Sequence, residues 1–203
     1  MYRIVILRGG LGNQMFGYAF YLTLKQRYRF SFVGIDPIHC FLVHNGFELP
    51  DIFSNIHHKK SFKFYRRIQK LYSEYSTKKL FMKVMEESPG KFLSTFANTN
   101  YFFTVYDGFW QTEKYFENIR SNINFAFQFN KTKLNFKTEV LCTILEKENG
   151  VSIHIRRGDY VDASEFDGIC NLNYYKNALE KIEKLVKDPK YYIFTDDKVW
   201  VSD

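Results

Sequence analysis

The run His154-Ile155-Arg156-Arg157-Gly158-Asp159-Tyr160 places two guanidinium groups directly after an apolar strand, Val151 to Ile155. A guanidinium stays charged and presents a planar fork of donors that matches a pair of phosphate oxygens. Gly158 allows a tight turn at the strand's carboxyl end, and Asp159 can hold one of the arginines in place. These residue types suit a phosphorylated ligand; a strand end with a surface ion pair is the plainer alternative. A second stretch of the same kind lies near the start of the chain. Tyr2 to Leu7 reads as a buried strand, Gly9-Gly10-Leu11-Gly12 as a glycine turn, and Asn13 to Arg27 as a helix with Phe16, Ala19, Phe20 and Leu24 at helical spacing. Strand, glycine loop and helix N-terminus together make an anion site. Asn13 also has the side chain of a helix cap. Phe30 to Val33 supplies a further strand, and Asp36 falls where a dinucleotide fold keeps its ribose-binding acid. The glycine order GGLG nevertheless fails the GxGxxG fingerprint of NAD sites.

The elements that must position these groups can be read as well. In the second half Asn173 can cap a helix in which Tyr175, Ala178, Leu179, Ile182, Leu185 and Val186 share one face, and Asp188-Pro189 ends it. The strand Tyr191 to Phe194 comes next. Strand, crossover helix and strand form a right-handed parallel unit, so both strand ends lie on one edge of the sheet. Arg156-Arg157 and Asp196-Asp197 are therefore expected to face one crevice, the usual ligand position of an open α/β sheet. Two adjacent carboxylates rarely complete a divalent-metal site alone, and no metal is expected. A lone histidine in an apolar strand, such as His154, is on burial statistics more often a core residue than a ligand contact.

Four stretches resemble the bacterial alpha-1,2-fucosyltransferases. Arg8-Gly9-Gly10-Leu11-Gly12-Asn13-Gln14-Met15-Phe16, with Tyr18-Ala19-Phe20, resembles their opening signature, and HIRRGDY their central donor motif. Gly108 to Phe116 (GFWQTEKYF) is similar to the aromatic segment before their second domain, and Phe194 to Val201 (FTDDKVWV) to their acidic strand-end motif. Gly17 stands where the family usually has a larger polar residue, Phe109 where it has Tyr, and Thr195 where it often has Ser. The resemblance implies an α/β, GT-B-like pair of Rossmann-like domains. Residues 1–147 would form an acceptor-side domain with a helical insertion at about 56–88, and 148–203 the start of a GDP-fucose-binding domain. The family's final Ser- and Trp-rich region is absent, so the chain reads as the N-terminal portion of a longer enzyme with an unpaired sheet edge. The implied reaction is an inverting transfer of L-fucose from GDP-fucose to the 2-hydroxyl of a terminal galactose in surface glycan synthesis, without a metal or other cofactor. Arg156 would contact the leaving phosphate, with Arg157 and Asp159 shaping the site and His154, Asp196 and Asp197 on the donor. Gly12, Asn13 and Gln14 would approach the donor from the first domain. Asp159, Asp162, Glu165 and Asp167 all lie on the loop after the arginines, and the choice of base among them stays open.

Charge and composition narrow the partners. The formal net charge is +7, and from Lys59 to Lys83 nine basic side chains stand against a single acid, Glu74, while Phe64, Ile68, Leu71, Tyr72 and Tyr75 mark one apolar helical face. Such a helix can lie on an anionic membrane surface; an ordinary surface helix with a solvated basic side is the plainer alternative. Lys interleaved with aromatics also suits a nucleic-acid strand, but no RNP, KH or zinc-knuckle pattern supports that reading, and no nucleic-acid partner is expected. Cys40, Cys142 and Cys170 are widely spaced and lack a CxxC pair, which fits a reducing compartment rather than a disulfide framework. Only Ile4 to Leu7 separate Arg3 from Arg8, too short a run for a signal peptide, and no run reaches membrane-spanning length. The expected location is the cytoplasm, with peripheral contact on the inner face of the membrane allowed. Besides an active transferase, the sequence admits an inactive nucleotide-sugar-binding fragment or a basic nucleic-acid-binding domain.

Overall fold

The structure is a computed structural model that describes residues 1–36, 40, 42, 44–56, 82–86, 91–158 and 170–202. The chain divides into two compact units, Met1–Lys133 and Leu134–Asp203.

The first unit is built on the strands β1 (Tyr2–Leu7), β2 (Phe30–Ile35), β3 (Met82–Glu86) and β4 (Phe103–Asp107), with helices α1 (Leu11–Arg27) and α2 (Arg120–Ala126). The sheet order is β2-β1-β4-β3, and every pair is parallel. Alternation in β1 sends Val5 and Leu7 to one face, where they pack with Phe20 and Leu24 of α1, Val33 and Tyr106. Ile4 and Ile6 go to the other face with Val105. A strand buried on both faces must be apolar at nearly every position, as β1 is. The steps from β1 to β2 and from β3 to β4 run in the same direction across the sheet, and because all strands are parallel their carboxyl ends share one edge. Ligands of open α/β sheets bind outside that edge.

Two features of this unit were not apparent from the sequence. Trp110 has a positive φ of 57° yet is fully buried, stacked on Phe20 with centroids 4.2 Å apart and edged by Phe96, Tyr106 and Tyr115. A bulky residue holds that backbone conformation only where its packing dictates it. Arg3 is also fully buried: its guanidinium donates to the carbonyls of Tyr2, Tyr101 and Thr99 and lies 4.2 Å from the Tyr28 ring. The first helix begins at Leu11, earlier than expected, because the Gln14 amide already bonds the Gly10 carbonyl at 3.1 Å. Gly10 is thus the N-cap, no side chain caps this helix, and Asn13 lies inside its first turn. Of the helical insertion expected at about 56–88, residues 57–81 and 87–88 lie outside the described residues, and 82–86 form the strand β3.

The second unit runs α3 (Phe136–Leu145), β5 (Gly150–Ile155), α4 (Leu172–Leu185), β6 (Lys190–Thr195) and α5 (Lys198–Ser202). β5 and β6 pair in parallel, from Gly150 opposite Lys190 to Ile155 opposite Thr195. Asn135 caps α3 by accepting the Thr138 amide at 2.9 Å. The cap of α4 is Asn171, which accepts the Tyr174 amide at 3.0 Å, so the expected cap Asn173 instead falls within the first turn. The helix stops at Leu185, and Asp188 adopts a φ of 50° just before Pro189. No helix among the described residues is long and apolar enough to cross a membrane.

Candidate functional site

In the second unit the parallel register sets Ile155 beside Thr195, so the residues just past each strand are neighbours. The expected meeting of Arg156-Arg157 with Asp196-Asp197 occurs, and the hydrogen bonds assign each member a distinct task. The Asp196 carboxylate accepts the backbone N–H of Arg157 at 2.8 Å and that of Gly158 at 3.2 Å. It approaches so closely that a Cβ on Gly158 would lie 3.0 Å from Asp196 Oδ2, a contact that would push on the carboxylate. Asp197 binds with both oxygens: Oδ2 accepts Arg157 Nε at 3.1 Å, and Oδ1 accepts the Trp200 amide at 3.1 Å, capping the last helix. The Thr195 hydroxyl in turn accepts the Asp197 amide at 2.9 Å, a role that Ser would fill equally. The Arg157 guanidinium carbon lies 4.6 Å from the centroid of the Trp200 ring.

Arg156 is exposed, whereas Arg157 is half-buried in these contacts. His154, which the resemblance puts on the donor and burial statistics alone would put in the core, is exposed, because β5 buries only alternate positions and its odd-numbered residues face inward. The His154 carbonyl accepts the Tyr175 hydroxyl at 3.3 Å. Burial, ahead of the nearby Cys170 and Tyr174, raises the pKa of Tyr175, so its phenol remains a donor there. Asp159, together with Asp162, Glu165 and Asp167, lies outside the described residues.

A polar group also sits at the carboxyl ends of β1, β2 and β4 in the first unit. Arg8, immediately after β1, forms an ion pair with Asp107 at the end of β4 and lies 3.7 Å from Asp36 after β2. Gly9 turns the chain with a φ of 75°, a conformation natural to glycine. Gly12 is exposed, and Asn13 accepts a hydrogen bond from the Gln111 side chain. The glycine-loop stretch is thus tied to the aromatic stretch at 108–116 by Asn13 with Gln111, and to the residue just before that stretch by Arg8 with Asp107. Gln14, expected to approach a donor, is fully buried. Its amide nitrogen donates to the carbonyls of Gly9 and Gly46, each at 2.8 Å, and its oxygen accepts the Glu48 amide at 3.1 Å. The side chain braces the loop. Beneath this group Cys40 is fully buried with its thiol 3.6 Å from the Leu7 carbonyl; burial, then Asp36, push its pKa up to about 11 against the lowering effect of Arg8.

Sequence reasoning missed Trp200 as a site residue, although it lies inside the acidic strand-end stretch; the aromatic three positions after Asp197 was the available signal. Asp107 was missed too, and its position directly before Gly108-Phe109-Trp110-Gln111 could have pointed to it. Among the described residues no group of three or more His, Cys, Asp and Glu side chains is arranged to hold a metal ion.

Comparison with known proteins gives one family. The model of glycosyl transferase family 11 matches residues 2–203. An alpha-1,2-colitosyltransferase of Escherichia coli is 28% identical over 205 residues, covering 96% of this chain and 68% of that protein. The O-antigen biosynthesis glycosyltransferase WbnK, also of Escherichia coli, is 28% identical over 222 residues, covering 97% of this chain and 73% of that protein. No solved structure matches significantly.

Proposed function

Since the chain belongs to glycosyl transferase family 11, we propose that it acts as a galactoside alpha-1,2-fucosyltransferase, moving L-fucose from GDP-fucose to the 2-hydroxyl of a terminal galactose in a surface glycan. The observation that carries this reading is the division of labour at the end of β5. Arg157 is held by Asp197 and Trp200, the turn amides are held by Asp196, and Arg156 is exposed to an incoming diphosphate. In the proposed step the galactose oxygen attacks the anomeric carbon from the face opposite GDP. The bond from that carbon to the β-phosphate oxygen breaks, and its electron pair leaves with GDP. Arg156 stabilises the negative charge that develops there, a contact typically worth about 3 kcal/mol in the transition state. Asp159 is the proposed acceptor of the hydroxyl proton. Because arginine supplies the compensating charge, the reading requires no metal.

The proposal extends to architecture: a GT-B-like arrangement of two Rossmann-like domains, with the acceptor taken by the first and GDP-fucose by the second. It places the enzyme in the cytoplasm, with peripheral contact on the membrane. The likeness to a colitosyltransferase supports a second reading, in which the same machinery transfers colitose. Fucose and colitose differ by one hydroxyl, and a site built to hydrogen-bond that hydroxyl rejects the sugar lacking it.

Turnover of GDP-fucose, GDP-colitose and UDP-galactose with a galactoside acceptor, each with and without EDTA, tests the reading. GDP-fucose is expected to be the best donor, with a rate unchanged by chelation. Preference for GDP-colitose would install the second reading, preference for the UDP-sugar would overturn both, and loss of activity in EDTA restored by magnesium would overturn the metal-free mechanism.

A further inference from the structure

We infer that Trp200 and Asp196 are positioning residues for diphosphate binding, acting through the Arg156-Arg157 turn without touching the ligand themselves. The inference rests on the nucleotide-sugar reading above. Its core is a chelate: one carboxylate, Asp197, holds the Arg157 Nε at 3.1 Å with one oxygen and the Trp200 amide at 3.1 Å with the other. The guanidinium and the indole that faces it at 4.6 Å are therefore set in register by the same group. An arginine on an aromatic face gains an attraction of its own and loses the freedom to swing. Tyr175 flanks the indole, with ring centroids 6.2 Å apart, and ties the end of β5 through the His154 carbonyl at 3.3 Å.

Asp196 acts on the backbone of the same turn. Its two oxygens occupy the N–H groups of Arg157 and Gly158 at 2.8 and 3.2 Å. Those amides form the kind of paired donor that elsewhere cradles a phosphate. Here a protein carboxylate fills them, so an entering diphosphate meets side chains rather than this backbone pair. Fixing the turn fixes the direction in which Arg156 leaves it. Asp196 and Asp197 thus serve the arginines, although a pair of acids beside a nucleotide site looks from sequence like a ribose or metal contact.

Titration of the whole chain with GDP, UDP and inorganic pyrophosphate, for the native protein and for Trp200→Leu, Trp200→Phe and Asp196→Asn, decides the matter, with thermal unfolding measured on each. Trp200→Leu is expected to weaken diphosphate binding about tenfold, equivalent to about 1.4 kcal/mol. Trp200→Phe should stay within about twofold because an aromatic face remains for the guanidinium. Both substitutions remove indole packing, so their unfolding temperatures should fall together; affinity that separates the two while stability does not marks positioning. Asp196→Asn should weaken binding as Trp200→Leu does, since an amide offers one acceptor oxygen to two N–H groups. Native-like affinity in Trp200→Leu, or equal loss in Leu and Phe, would overturn the inference. Should the native protein bind pyrophosphate but not prefer GDP over UDP, the donor assignment falls, and the same series read on pyrophosphate still decides the positioning role. Failure of the native protein to bind any of the three would overturn both.

Discussion

Two adjacent arginines of identical chemistry have different fates, and the residues just past β6 make the difference. Arg157 is engaged through Nε by Asp197 and through its face by Trp200, while Arg156 is exposed. The meeting of the arginines with Asp196-Asp197 was legible in the sequence, but the task of each group was hidden, because the residues that engage Arg157 arrive from another strand. Gln14 shows the converse limit: an amide beside a glycine loop suits a ligand contact as well as a brace, and only its burial decides. For Arg156 the expected outcome comes from geometry. If its fork grips the departing phosphate with two donors, a lysine keeps the charge and loses the bidentate contact. Arg156→Lys should lower turnover about a hundredfold, the lower range for removing one transition-state donor. Its stability should change by less than about 0.5 kcal/mol, as for other exposed positions. Steady-state kinetics beside thermal unfolding checks this; full turnover in the mutant, or a loss explained by unfolding, would make Arg156 an ordinary surface charge.

At the level of elements, the loop between β1 and α1 depends on a single buried side chain. Gln14 bridges Gly9, Gly46 and Glu48, joining the helix's first turn to a segment more than thirty residues away. Removing a partner from a buried hydrogen bond costs about 1–3 kcal/mol, and three such bonds share this amide. Gln14→Ala should therefore destabilise the protein by about 2–4 kcal/mol in urea unfolding, with any loss of nucleotide affinity arising from the displaced loop. Unchanged stability with lost affinity would restore the direct-contact role. The strands and helices themselves were largely legible, since β1, β2, β5, β6, α1 and α4 each carry a clear apolar period and turn residues at their ends. Helix starts were less so. Asn13 and Asn173 have capping side chains, yet Gly10 and Asn171 occupy the cap positions, because a cap is fixed by where the first backbone bond closes. The strand β3 was invisible inside a segment read as helical, since Met82-Lys83-Val84-Met85-Glu86 has no period that excludes either structure.

For the molecule as a whole, the excess of positive charge admitted several anionic partners on composition alone, whereas family membership selects a nucleotide sugar and a glycan. A net charge of +7 should then act on an anionic donor's approach more than on its grip. Fields of a charged protein steer an anion over a Debye length, which shrinks from about 30 Å at 0.01 M salt to about 8 Å at 0.15 M. Arg157 in contrast is half-buried and paired, so salt screens its close-range contacts less. The association rate of GDP should fall several-fold across that range of salt while the dissociation rate stays within about twofold. Stopped-flow measurement using the fluorescence of Trp110 and Trp200, the two tryptophans of the chain, reads both rates. An association rate insensitive to salt, or a salt effect carried by dissociation, would mean that the positive charge is not aimed at the nucleotide and belongs to some other contact of this enzyme.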